Sequence, residues 1–395
     1  MDLNGRSVTV LGAGVAGLAV ARALALRGAS VTVLEQADAI REVGAGLQIS
    51  PNGAAVLRGL GLGAALDAAS LRAGAVELRD GFDGRVVTRL DVGRLRPDRG
   101  WHFMHRADLI GLLLDGARAA GVELRLLQKA EGVDLSGPRP VLTMCTGARE
   151  EAGLLIGADG LHSPLRAALN ARAEPFFTGQ IAWRALLPCE PDDAAPVAEV
   201  HMGHGRHLVS YPLRGGALRN IVAVEERRRW VEEGWSLRDD PMELRLAFES
   251  FGPRVRGWLA QVEDVWLWGL FRHPVARAWH RVLPSGAVAL LGDAAHPTLP
   301  FLAQGANMAL EDAWILAASL ARHDDDETAL AGYQAARRGR CAKIVAAANR
   351  NARAYHLSGP IRPLAHAVLR LGGAVAPGLA LSRFDWIHGF DATAA

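Results

Sequence analysis

Apolar and polar positions divide the chain into stretches of different period. Ser7 to Leu11 is a short β-branched run that predicts a strand. Leu18 to Leu26 has helical composition, and Gly28 closes it. Val31 to Leu34 is a second apolar strand that ends at Glu35. Strand, glycine turn, helix and strand in this order predict a βαβ unit. Strand-like runs alternate with turns from Val76 to Leu90 and from Val122 to Leu142, with a helix expected between them over Ala107 to Ala120. Leu154 to Ala158 is apolar throughout, as in a strand buried on both faces. The pattern then changes. Four strand candidates, IAWRALL, AEVHM, HLVSYPL and NIVAVEE, fill Ile181 to Glu226 with only turns between them. Consecutive strands without helices predict an antiparallel sheet. A helix is expected over Pro241 to Phe251, and a buried strand over Val288 to Leu291. Ala306 to Leu320 and Glu327 to Tyr355 read as helices. The late apolar stretch Pro363 to Leu381 is broken by His366, Arg370, Gly372, Gly373 and Pro377. It makes a poor membrane span and reads as a packed or interfacial helix pair.

Composition narrows the class. Of 395 residues, 50% are hydrophobic and 22% charged, which supports a large core and excludes a disordered chain. Lys plus Arg number 44 against 42 acidic residues, a net charge of +2, so no nucleic-acid partner is expected. Lys129 and Lys343 are the only lysines, and Arg227, Arg228 and Arg229 read as a solvated face. Cys145, Cys189 and Cys341 are odd in number and far apart. They predict reduced packing thiols in a cytoplasmic protein, with neither a disulfide framework nor a metal site. Asp2 and Asn4 lead straight into the first strand, so no signal peptide is expected.

Gly12, Gly14 and Gly17 form a phosphate-binding turn. Gly12 allows the tight turn, Gly14 lets backbone approach a pyrophosphate, and Gly17 lets the helix pack on the strand. The helix N-terminus offers free N–H groups to the phosphates. Glu35, 18 residues beyond Gly17, stands where a carboxylate accepts both ribose hydroxyls of an adenosine. The chain therefore predicts dinucleotide binding. Asp159 and Asp293 each follow an apolar strand, where open α/β sheets bind ligands.

Three spaced motifs, GAGVAGL, GADGLHSPLR and LLGDAAHPTLPFLAQGANMALEDA, span residues 12 to 313. Together they resemble the single-component, FAD-dependent aromatic hydroxylases, the class A flavoprotein monooxygenases. The local spelling GAGLQISPN, with Trp183-Arg184 and Leu208 to Pro212, is similar to the salicylate, 3-hydroxybenzoate and 6-hydroxynicotinate hydroxylase branch. The resemblance implies a mixed α/β fold. A Rossmann-like FAD-binding domain, discontinuous over 1–75, 100–175 and 280–320, would carry an inserted antiparallel-sheet substrate domain over 76–99 and 176–279. A helical region, 321–395, would close the chain, with Trp386 and Phe390 covering its own core or a neighbouring subunit in a monomer or homodimer.

Roles follow from the same resemblance. Glu35 would bind the adenosine ribose, and Arg41 and Arg106 would reach the ribityl and phosphate region. Asp159 would shape the cleft, and Asp293 would bond the ribityl chain. The Gly305-Ala306-Asn307 backbone, opening a helix, would face the flavin N1–O2 edge, where a helix N-terminus stabilises negative charge. The implied reaction transfers hydride from NADH, or NADPH, to FAD. Oxygen from O2 then passes to a small electron-rich aromatic substrate through a flavin C4a-hydroperoxide. Alternatives are a flavin epoxidase, halogenase or hydroxylase of a larger quinolone- or polyketide-like substrate, or a non-catalytic FAD-fold escort protein.

A base that deprotonates a substrate hydroxyl would speed oxygen transfer. His207 and Tyr211 lie four apart on one strand candidate and so on one face. Members of the 3-hydroxybenzoate branch resemble the chain in a His and a Tyr at this spacing. His201 and His204 are rivals, and His296 reads as structural. Gln48, Trp183, Pro300 and Phe301 are expected to line the substrate pocket. Leu299 to Leu302 makes that loop apolar, as suits a flat hydrophobic substrate. The branch would place a polar contact where this chain has Pro300 or Phe301.

Overall fold

The computed structural model describes residues 3–40, 45–170, 174–190, 193–227, 237–359 and 361–394. Arg41, Arg228 and Arg229 lie outside them. Buried Val8, Val10, Val31 and Val33 fix Ser7–Leu11 beside Ser30–Leu34 as parallel strands, with Ser7 opposite Ser30 and Leu11 opposite Leu34. Leu154–Gly157, Gly286–Leu290 and Glu123–Arg125 extend this parallel sheet, and His280–Leu283 closes one edge antiparallel. The spatial order runs 280–283, 286–290, 154–157, 7–11, 30–34, 123–125. Residues from both ends of the sequence thus meet in one sheet. Parallel pairing needs crossovers, and the helix Val15–Ala25 supplies the first. Its Leu18, Val20 and Leu24 join one hydrophobic core with Leu113, Leu310 and Leu316 from the helices Arg106–Ala119 and Gly305–Arg322.

The inserted layer is an eight-stranded sheet. Phe176–Pro188, Val197–Gly203, Arg206–Leu213 and Leu218–Glu226 lie where the alternation predicts strands. Ala75–Asp80, Val86–Leu90, Arg238–Asp239 and Val265–Arg272 complete it. The sheet is not wholly antiparallel, because Val197–Gly203 runs parallel to Ala75–Asp80. The helix expected over Pro241 to Phe251 stops at Ala247. A second helix starts at Pro253, whose missing N–H is harmless in a first turn.

Strand alternation gives this sheet two dissimilar faces. Ile181, Trp183, Leu187, Leu208 and Ile221 point to the two helices and pack on Phe248, Phe251 and Trp258. Ala182, Val222, Val224 and Leu270 point the other way and meet Leu299 and Phe301 of the cofactor part.

The helix Asp326–Tyr355 returns the chain to the first core, where Leu330, Tyr333 and Ile344 are buried. Ile361–Val375 and Pro377–Ser382 form the late helix pair, and Trp386 and Phe390 pack against the first core. Among the described residues, no helix is long and apolar enough to cross a membrane.

Candidate active site

The carboxyl ends of four parallel strands converge on one cleft. Gly12 holds a left-handed φ of +94°, and a Cβ there would stand 2.6 Å from the Ala158 carbonyl oxygen. A Cβ on Gly17 would stand 1.8 Å from the Gly12 carbonyl oxygen. Both positions therefore admit only glycine. Gly14 differs, since a Cβ there would enter open space at the N-terminus of Val15–Ala25. That open cradle over free N–H groups fits a pyrophosphate. Glu35 accepts hydrogen bonds from the Ala13 N–H at 2.7 Å and the Ala37 N–H at 2.9 Å. Each oxygen keeps a second acceptor position for a ribose hydroxyl.

The two aspartates face the same cleft. Neither Asp159 oxygen has a hydrogen-bond partner of ordinary geometry. Burial pushes its pKa up to about 6, offset in part by the nearby Ser163 hydroxyl. Orphaned carboxylate oxygens of this kind invite a ligand's donors. Asp293 is exposed to the cleft yet deeply seated, and its burial raises its pKa against the opposing pull of His296, Arg106 and His273. The open Gly14 cradle, the spare Glu35 acceptor positions and the orphaned Asp159 oxygens fit the phosphates and hydroxyls of a dinucleotide.

A buried polar network fixes the opening of the helix Gly305–Arg322. Asn307 accepts the Ser50 N–H at 3.0 Å and donates to the Gln48 carbonyl at 3.0 Å. Its side chain is thus committed to the neighbouring strand, which leaves the backbone of Gly305 and Ala306 to present donors. Asn52 donates to Gln304 at 3.1 Å and to Glu311 at 2.6 Å. Arg340 in turn donates to Glu311 at 2.8 Å.

The cleft-facing side of the eight-stranded sheet carries His207, Val209 and Tyr211 in alternation. The His207 ring lies tilted at 5.7 Å from the Phe301 ring, and Phe301 is largely buried. Tyr211 packs 5.1 Å from Phe103. Burial pushes its phenol pKa well up, and Arg184 offsets only part of that rise. Burial, with His356 beside it, lowers the His207 pKa well below the usual histidine range. Both groups therefore rest neutral at pH 7. Gln48 accepts the Trp101 indole N–H at 3.0 Å, and Pro300 is half-buried.

Three expected residues stand elsewhere. Trp183 is fully buried on the opposite face, where its indole N–H donates to Asp239 at 2.7 Å. It cannot line the cleft, because strand alternation points its neighbour Arg184 there instead. The Arg184 guanidinium lies 3.8 Å over the Trp268 ring, and burial lowers its pKa to about 9. His201 also turns away, paired with Glu199 at 3.0 Å and edge-on to Trp258. His204 is exposed on a hairpin turn. Parity was the available signal: Trp183 shares its period with apolar Ile181, Ala185 and Leu187, and Arg184 does not. The Asn52–Gln304–Glu311 network had no such signal, because its members are far apart in sequence.

Known proteins share this sequence pattern and fold. A family model described as the FAD binding domain matches residues 6–348. The chain belongs to that family. The flavoprotein is 33% identical to the 3-amino-4-hydroxybenzoate 2-monooxygenase PtmB3 of Streptomyces platensis, over 98% of this chain and 97% of that one. It is 32% identical to the 3-hydroxybenzoate 6-hydroxylase of Polaromonas naphthalenivorans (strain CJ2), over 97% of this chain and 96% of that one. Its fold matches that of a salicylate hydroxylase substrate complex with a TM-score of 0.80 at 24% identity, covering 98% of this chain and 96% of that one. It is an FAD-dependent monooxygenase of the class A aromatic hydroxylase type.

In this flavoprotein His296 is buried against Asp312, with which it forms a very short hydrogen bond. Burial opposes its charge, yet Asp312 holds the imidazole pKa well above the usual value. Cys341 lies close enough to both for the three to resemble a metal cluster. Arg337, however, already donates to Asp312 at 2.7 Å and contacts the Cys341 sulfur at 3.4 Å. A guanidinium in that position supplies the countercharge a cation would bring. Asp312 also accepts the Gly292 N–H at 3.1 Å, so the cluster braces the turn that presents Asp293.

Proposed function

We propose that the protein hydroxylates a small aromatic acid bearing a ring hydroxyl, at the expense of O2 and NADH. The observation that carries this reading is the cleft-facing row of the sheet. Arg184, His207, Val209 and Tyr211 share one face, opposite the apolar Leu299–Phe301 loop. FAD, when bound, supplies the redox chemistry that activates O2 with electrons from a nicotinamide. The chain's own residues do the rest. Arg184 meets the substrate carboxylate, since a half-stripped guanidinium gains most from an anion. Phe301, Leu299 and Val209 sandwich the ring and exclude water, which protects the reaction from side loss to peroxide. His207, neutral, accepts the proton of the ring hydroxyl, and Tyr211, kept protonated, donates to a substrate oxygen.

The choice of NADH over NADPH rests on likeness to the 3-hydroxybenzoate branch. The division into a discontinuous cofactor part and an inserted substrate part belongs to the same proposal and is supported by strand membership in the two large sheets. Cytoplasmic action fits three free cysteines.

The test is a screen of NADH and NADPH oxidation against hydroxybenzoates, aminohydroxybenzoates and hydroxynicotinates, with peroxide and hydroxylated product measured together. Substrate-stimulated oxidation with stoichiometric product is expected for at least one aromatic acid. Oxidation that ends only in peroxide across the panel would sink this reading.

A further inference from the structure

His207 is the first member of a hydrogen-bonded chain. Its Nδ1 lies 2.7 Å from His356 Nε2, and His356 Nδ1 lies 2.7 Å from Glu226 Oε1. His207 and His356 are buried at 2% and 8% exposure, whereas the Glu226 side chain is 53% exposed. The chain therefore starts on the cleft face of the sheet and ends in solvent. His356 sits at the end of the long C-terminal helix region, far in sequence from the strand it meets.

The carboxylate sets every proton position in this row. An ionised Glu226 can only accept, so His356 Nδ1 carries a hydrogen. His356 Nε2 must then accept, so His207 Nδ1 carries a hydrogen. That leaves His207 Nε2 with a lone pair, and it has no hydrogen-bond partner among the described residues. A base thus stands at the cleft with its proton outlet already aligned.

We propose that His207, His356 and Glu226 form a proton conduit between the substrate's ring hydroxyl and solvent. The inference rests on the hydroxylase reading above and adds the route. The substrate O–H bond breaks as His207 Nε2–H forms. His207 Nδ1–H breaks as His356 Nε2–H forms. His356 Nδ1–H breaks as Glu226 Oε1–H forms, and the exposed carboxylic acid then gives the proton to water. A proton returning along the same row to the product oxygen resets both imidazole tautomers. No oxidant or reductant is needed. A row of this kind moves charge without parking it, because burial disfavours an imidazolium at either ring.

The surrounding groups suit an outlet. Burial lowers the His356 pKa, Glu226 pulls it back up, and Arg206 and His204 add to the lowering. Arg206 is engaged by Glu225 at 3.2 Å and by the Ala247 carbonyl. The Tyr355 ring packs 5.1 Å from the His207 ring.

The test uses the FAD-loaded enzyme and the hydroxybenzoate that gives wild-type turnover in the screen. Stopped-flow mixing with a pH indicator reads proton release as that compound binds, beside the rate of product formation. His356→Ala should slow proton release at least tenfold, and added imidazole should restore it. Glu226→Gln should slow it about tenfold, because an amide cannot take up the proton. FAD content and substrate affinity should stay within twofold of wild type. Wild-type proton release in Glu226→Gln would overturn the conduit, as would a slow His356→Ala that imidazole does not rescue. Should His356→Ala fail to hold FAD, the half-exposed Glu226 decides alone. A wild-type enzyme that hydroxylates no compound in the screen would instead remove the hydroxylase reading itself.

Discussion

Arg184 and Trp183 are neighbours in sequence and point to opposite sides of the sheet. The dipeptide was legible as a functional signature, but which half of it faces the cleft depends on the parity of the strand. Apolar Ile181, Ala185 and Leu187 share the parity of Trp183, so hydrophobic burial claims that face and leaves Arg184 to the cleft. The same parity separates His207 and Tyr211 from His201, whose cross-strand partner Leu208 packs on the helices. Replacing Arg184 tests the assignment most directly. A charge-assisted hydrogen bond contributes roughly 1.5–3 kcal/mol. Arg184→Gln should therefore raise KM for the aromatic acid about 10- to 100-fold, with flavin content unchanged and kcat altered far less. Steady-state kinetics beside the flavin absorbance would read this, and an unchanged KM would show that Arg184 does not hold the substrate's carboxylate.

Whole elements were easier to read than their facing. The strands 7–11 and 30–34 and the four strands between 176 and 226 appear where periodicity predicts them. The strand Val265–Arg272 and the helix Pro253–Ala260 did not stand out, because VWLWGLFR lacks polar alternation and the helix is a short one. The glycine turn was legible residue by residue, and the structure separates the three positions physically. Gly12 and Gly17 are glycine because the fold closes on them, whereas Gly14 has room and a φ of −77° that alanine tolerates. Gly14→Ala should leave the FAD-free protein as stable as wild type while weakening FAD binding at least tenfold, since only the bound pyrophosphate needs the space. Gly17→Ala should lose stability with or without FAD, because its methyl would overlap backbone. Thermal melts of the FAD-free proteins and fluorescence titrations with FAD distinguish the two cases. Equal destabilisation by both substitutions would deny Gly14 its special role.

At the scale of the whole molecule, a long return of the chain holds the cofactor part together. The helix Asp326–Tyr355 brings Arg337 and Arg340 onto Glu311 and Asp312, which are fully buried on Gly305–Arg322. Asp312 braces the Gly292 turn, and Glu311 reaches Asn52 near the first βαβ unit. The composition hinted at none of this, since a net charge of +2 says nothing of which charges are buried in pairs. Buried pairs add little net stability against an apolar alternative, but breaking one leaves an uncompensated charge at a cost of about 3–5 kcal/mol. Arg337→Ala should therefore lower unfolding free energy by about that amount and loosen FAD, although Arg337 touches no part of the cleft. Urea unfolding with and without FAD would measure it. Arg340→Ala should cost less, because that side chain is partly exposed and Arg337 still pairs with Glu311. A loss below about 1 kcal/mol for Arg337→Ala would mean that Glu311 and Asp312 take up protons or water instead, and that the late helix clamps the cofactor part by its apolar contacts alone.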